Sequence, residues 1–332
     1  MRISLSILLL FLTACNPTGG EQQLNNYNNR LARVLSLPVT ETELPPVAPL
    51  PAVRDLRKPL PDIRLTLSEV YVTRSCHLDT LIAERNSSLG KVYHVSQQLL
   101  YELRLLAQLK YCLQQPWADT ELAALLSESY TLKQQSIQHA LYNMLLTDNT
   151  IRQQLQGKPR LLTLNAAGFA ETLSTLQTLL QLQQLITDEN WQQAAQIDIE
   201  HQLAILYRYD FIARLQYSLR YSSHWLARLN NALSVTDSSS ICPGKRTGEK
   251  MTILTNVLHL YFIGEVQPYM AQLTRYQQQL WPVLEQLYAG TPVSPHLTRR
   301  FIAPANSLQQ NLLNHVAWWQ QLAKYCQASL TG

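Results

Sequence analysis

Ser129 and Lys133 stand four residues apart on a helical pattern, close enough for an amine to face a hydroxyl nucleophile, but such pairs are common on solvated helix faces. No Gly-x-Ser-x-Gly elbow accompanies them. Asp198 and His201 are three apart and share a face, yet a di-metal carboxylate bundle needs a second such pair and two further carboxylates, and the second pair is missing. His-Glu-x-x-His is absent as well, and the 10 Gly form no phosphate-cradling loop. The reading is therefore no catalytic set, no metal and no cofactor. Two constellations rise above this background. Glu84, Arg85 and Asn86 set charge and an amide just before the helix-breaking Ser87-Ser88-Leu89-Gly90; a buried arginine there fixes a corner or grips a carboxylate or phosphate bidentately. Asp210, Arg214, Tyr217, Tyr221 and His224 recur at steps of four, three, four and three, which aligns them on one helix face. That stripe has the composition of a surface for a protein partner or a sugar ring, while the competing reading packs its tyrosines between helices.

Cys15 carries the clearest chemistry. Arg2 supplies a positive start, Ile3 to Leu12 a short apolar run, and Leu12-Thr13-Ala14-Cys15 follows directly, which resembles a bacterial lipoprotein signal peptide. The run is shorter than the roughly 20 residues a spanning helix needs, so it reads as cleaved, with Cys15 as acyl acceptor and new N-terminus. Asn16 follows where an Asp would resemble an inner-membrane retention signal, so the expected address is the outer membrane of a Gram-negative bacterium, facing the periplasm. Two or three acyl chains, at about 0.8 kcal/mol per buried methylene, make release negligible. Cys76, Cys112, Cys242 and Cys326 then remain, an even number for an oxidising compartment. Of three pairings, Cys76 with Cys112 and Cys242 with Cys326 keeps each bridge within one half of the chain and closes the shorter loops. No CxxC pair supports the zinc alternative.

These residues must be positioned by helices. The chain of 332 residues is 46% hydrophobic, and Leu close to a fifth and Gln about a tenth of it, against 10 Gly, favour helix over sheet. The net charge of +4 is dispersed, which argues against a nucleic-acid surface. Residues 1–14 read as signal peptide and 15–61 as the lipidated N-terminus, with a short helix near residues 24–35 and a Pro-rich tether from Pro38 to Pro61. At about 3.1 Å per residue that tether would hold a domain up to roughly 75 Å from its anchor. The alternative is an ordered arm along the domain surface. Residues 62–332 read as the helical periplasmic domain, with conceivable subdomains 62–158 and 159–332. Helices are expected over 65–86, 96–115, 119–146 with Asp119 as N-cap, 166–186, a continuous 190–233, 249–288 kinked at Pro268 and Pro282, and 305–329. The fold class that follows is all-α: an antiparallel multi-helix, bundle-like domain with long and Pro-kinked helices, stapled by disulfides.

The Cys15 lipobox, the Pro-rich segment, Cys76, Glu84-Arg85-Asn86-Ser87-Ser88-Leu89-Gly90-Lys91-Val92, Cys112 and Cys242-Pro243 together resemble a family of uncharacterised gammaproteobacterial lipoproteins. The resemblance implies an address and no activity. The leading functional expectation is a membrane-anchored, non-enzymatic lipoprotein that binds an envelope protein or glycan, with no nucleic acid as partner. The other is an envelope enzyme acting on peptidoglycan or lipid through a polar cluster that only three dimensions reveal.

Overall fold

The computed structural model describes residues 19–38, 42–117 and 119–330. Cys15 and the signal segment lie outside the described residues. Among those described the fold is helical throughout, with one isolated bridge between Gly19 and Thr163 and no strand. Among the described residues no helix is long and apolar enough to cross a membrane.

The first helix, α1 (Gly20–Leu35), belongs to the core. Leu24, Tyr27 and Leu31, three and four residues apart, are fully buried. It begins on a glycine for a steric reason: a Cβ at Gly20 would overlap the phenol of Tyr269. The free spacer expected after α1 gives way to an ordered arm over residues 42–61, in which Leu50 and Leu56 are buried and α2 (Val53–Leu56) makes a single helical turn. Proline-rich chain has no internal hydrogen bonds, so its carbonyls need outside donors. The domain supplies cations: Arg220 reaches the Pro45 carbonyl at 2.7 Å, Arg300 that of Ala48 at 2.8 Å, Arg152 that of Pro51 at 2.9 Å and Lys133 that of Pro61 at 2.6 Å. Asn143 both accepts from and donates to the Lys58 backbone at 2.8 Å.

A smaller core follows. The helix expected over residues 65–86 is broken into α3 (Leu67–Val72), a tight turn, and α4 (Leu78–Asn86), because His77 takes a left-handed conformation beside the Cys76–Cys112 bridge. Helices α5 (Val95–Cys112) and α6 (Thr120–Thr147) stand close to their sequence-based limits, and the Asp119 carboxylate caps α6 by accepting the Glu121 and Leu122 amides at 2.9 and 3.1 Å. Leu78, Leu105, Leu109, Leu122 and Leu126 pack around the disulfide. Leu99, Leu103, Leu106, Ile137 and Met144, on the same two long helices, belong instead to the main core. The division between the two cores therefore runs through α5 and α6.

The main core continues through α7 (Asn149–Gln156), α8 (Phe169–Thr187), α9 (Trp191–Ala194), α10 (Ile199–Tyr209) and α11 (Phe211–Ser234). The single helix expected over 190–233 is thus three. Asp198 is the N-cap of α10, its carboxylate accepting the His201 amide at 2.9 Å, and Asp210 takes a left-handed conformation (φ 49°) between α10 and α11. Aspartate tolerates that region because its short polar side chain bonds locally. After the Cys242 loop come α12 (Glu249–Val257), a π-helical stretch (Leu258–Val266), α13 (Gln267–Leu287), α14 (Ser294–Leu297), a second π turn (Thr298–Ile302) and α15 (Ala303–Cys326). Each π stretch stands just before a proline, Pro268 or Pro304, and the wider turn makes room for a residue that lacks an N–H and crowds the carbonyl four residues back. Helix α13 runs on through Pro282. The second bridge, Cys242–Cys326, ties the loop to the end of α15 with Cα atoms 5.4 Å apart.

Candidate functional site

The Glu84 corner is built from the end of α4 inward. Arg104 on α5 grips the Glu84 carboxylate with its two terminal guanidinium nitrogens, at 3.0 and 2.9 Å, and the Tyr93 hydroxyl donates to it at 2.7 Å. Partial burial by itself would raise the Glu84 pKa; the bonds from Tyr93 and Arg104 outweigh it and hold the carboxyl below its ordinary value. Arg85 donates to the Gly90 carbonyl, and a Cβ at Gly90 would overlap the carbonyls of Glu84 and Arg85. Asn86 is exposed. The corner therefore folds the Asn86 to Gly90 loop back on α4.

Beside it two chambers meet. One, about 550 Å³, has a mixed lining and lies between the arm, α5 and α6, with Lys58, Leu60, Arg85, Tyr93, Val95 and Asn143 on its walls. The other, about 510 Å³, is walled by Ile63, Leu65, Val70, Ile82, Leu105 and Leu109. Both volumes lie in the range of small-molecule sites, roughly 300–1,000 Å³. Asp62, Arg85 and Lys133 border both. At the floor, Lys133 and Glu102 form a buried ion pair at 2.8 Å, with side chains 3% and 4% exposed. Lys133 is thereby committed to Glu102 and the Pro61 carbonyl rather than to Ser129. Sequence reasoning missed this pair because the partners come from different helices, 31 residues apart. Around the rim, Arg57, Arg64 and Arg85 make no ion pair among the described residues, and Leu67 at the lip is 91% exposed.

The five-residue stripe is split by the break at Asp210. Asp210 pairs with Lys158 and is also approached by Gln154 at 3.5 Å, so it serves the junction of α7, α10 and α11. Arg214, Tyr217 and Tyr221 do come together, in a hollow of about 520 Å³ that also holds Gly19, Arg160 and Leu161. Arg214 donates to the Leu161 carbonyl at 3.0 Å, and burial, then the neighbouring Arg160, lowers its pKa. The rings of Tyr217 and Tyr221 lie 6.1 Å apart. His224 is exposed one turn further on.

A fourth cluster had no sequence signal. His315, fully buried on α15, bonds Tyr27 of α1 at 2.7 Å and Asn230 of α11 at 2.8 Å, and Trp319 donates to the Tyr27 hydroxyl at 3.1 Å. The Asn230 carbonyl oxygen calls for a proton on Nδ1, which leaves Nε2 to accept from Tyr27. Burial pushes the imidazole down to about 3. The network fastens α1 to the last helix. Among the described residues no three metal-ligating side chains cluster.

No curated protein and no solved structure matches the chain. Residues 24–330 match the family described as protein of unknown function (DUF3080), which takes in most of α1 and every later helix described, and the chain belongs to that family.

Proposed function

We propose that this protein is an outer-membrane lipoprotein of the periplasmic face, held by acyl chains on Cys15, whose domain of antiparallel helices binds an envelope amphiphile without turning it over. The pairing of Cys76 with Cys112 and of Cys242 with Cys326 supports the address: four thiols are used in bridges suited to an oxidising compartment, and Cys15 at the lipobox is the fifth. The observation that carries the binding role is the pair of adjoining chambers, one walled largely by Ile63, Leu65, Val70, Ile82, Leu105 and Leu109, and both bordered by Arg85 and Lys133. An acyl chain suits the apolar chamber, and a carboxylate or phosphate head suits the Arg57, Arg64 and Arg85 rim. Glu84 in the corner and Glu102 at the floor are each engaged by a cation, which suits fixed structural work, while Asp62 borders both chambers and makes no ion pair among the described residues.

The address is tested with Cys15→Ser, which should move the chain from the membrane pellet to the soluble fraction. Binding is tested by native mass spectrometry of the intact protein with palmitate. One bound palmitate is expected, and Ala83→Trp, which places a large ring on an exposed wall of the apolar chamber, should abolish it. Palmitate bound equally by parent and variant would refute the groove.

A further inference from the structure

On the anchoring reading, on which this inference rests, the acyl chains begin four residues before Gly19, and four residues of fully extended chain reach at most about 14 Å. Gly19 is bridged to Thr163 and lies in the hollow with Arg160, Arg214, Tyr217 and Tyr221. Directly after it α1 is sealed into the core, so no slack is available on the domain side. The Pro-rich arm follows α1 in the chain and therefore adds nothing to the distance between anchor and domain.

We propose that the face around this hollow, continuing along α11 to His224, is a membrane-docking face that seats on the anionic phospholipid head groups of the bilayer holding the anchor. The charge of the face suits that occupant. Arg214 and Arg220 bind backbone carbonyls, of Leu161 and Pro45, rather than carboxylates, so their charge is not neutralised. Arg160 stands close enough to Arg214 to repel it, against a smaller pull from Asp210, and among the described residues lining the hollow Glu21 is the one acid. Anionic head groups relieve that crowding, and tyrosines are enriched at the membrane–water interface because an apolar ring and a polar hydroxyl suit its two sides.

The test uses the mature chain purified from membranes, reconstituted in phosphatidylethanolamine and phosphatidylglycerol vesicles that carry a photoactivatable group on the glycerol head. Adducts should concentrate in peptides 159–163 and 214–228. Arg160→Glu with His224→Glu, both exposed positions, should lower their yield by roughly twenty-five-fold or more, given about fivefold for each unit of charge near an anionic surface and the two units changed at Arg160 alone. Lys110→Glu, on an exposed position outside the face, should leave it unchanged. An acylated chain whose adducts fall elsewhere, or whose double variant labels like the parent, overturns the docking face and leaves the anchor intact. Intact mass of the same sample reports the anchor separately: a chain without acyl groups on Cys15 removes the anchor and the docking face with it.

Discussion

Lys133 shows how little a residue's neighbours in sequence say about its work. Four positions from Ser129 it reads as a conceivable base, yet its ammonium is held by Glu102 and the Pro61 carbonyl in a nearly dry site. A buried pair is costly to break one-sidedly because the remaining charge is stranded. Lys133→Met should therefore lower unfolding free energy by about 3–5 kcal/mol in urea titrations, and adding Glu102→Leu should restore most of it. His315 gives a second prediction at this scale. Its folded value, about 3, lies below the ordinary 6.5, so the folded state keeps it neutral while the unfolded chain takes up a proton. The stabilisation is complete above pH 6.5 and is lost as pH falls from 6.5 toward 3, by up to about 1.4 kcal/mol per pH unit. The slope of stability against pH in that window should flatten in His315→Phe; an unchanged slope would mean that the imidazole already titrates in the folded protein.

At the scale of elements, the Pro-rich arm and the chain breaks decide the architecture. Proline content leaves the arm no strand and only the single turn of α2, but it is silent on whether carbonyls are satisfied by water or by side chains. The answer depends on Arg152, Arg220 and Arg300, which lie more than 100 residues downstream of the carbonyls they cap. Hydrogen bonds from charged donors contribute about 1.5–3 kcal/mol each. Replacing Arg152 and Arg300 by Met should loosen the arm and speed tryptic cleavage at the exposed Arg54 and Arg57 by about tenfold or more, read by limited proteolysis. The Cys76–Cys112 bridge closes a 36-residue loop, for which the chain-entropy model gives about 4 kcal/mol. Its double Ala variant should unfold at correspondingly lower urea. Helix periodicity located α5, α6 and α8 well because their leucines face one core continuously. It missed the breaks at His77 and Asp210, where a single left-handed residue interrupts an otherwise unbroken apolar pattern without Pro or Gly to announce it.

For the whole molecule, the helical class and the disulfide pairing were legible in composition and spacing, whereas the chambers and the His315 network were not. Both are assembled from residues remote in sequence: Tyr27 meets His315 across 288 positions, and Pro61 meets Lys133 across 72. No local pattern encodes such meetings. The five-residue stripe was half legible, since Arg214, Tyr217 and Tyr221 share a hollow while Asp210 serves a helix junction. Because α1 is part of the core, a lipidated Cys15 would place the domain on the bilayer rather than at a distance from it. Everything proposed about the address and the docking face depends on that one modification. Intact mass spectrometry of the chain extracted from membranes tests it most directly. The account predicts an N-terminus at Cys15 carrying two or three acyl chains; an N-terminus at any other residue, or the bare polypeptide mass, would contradict it.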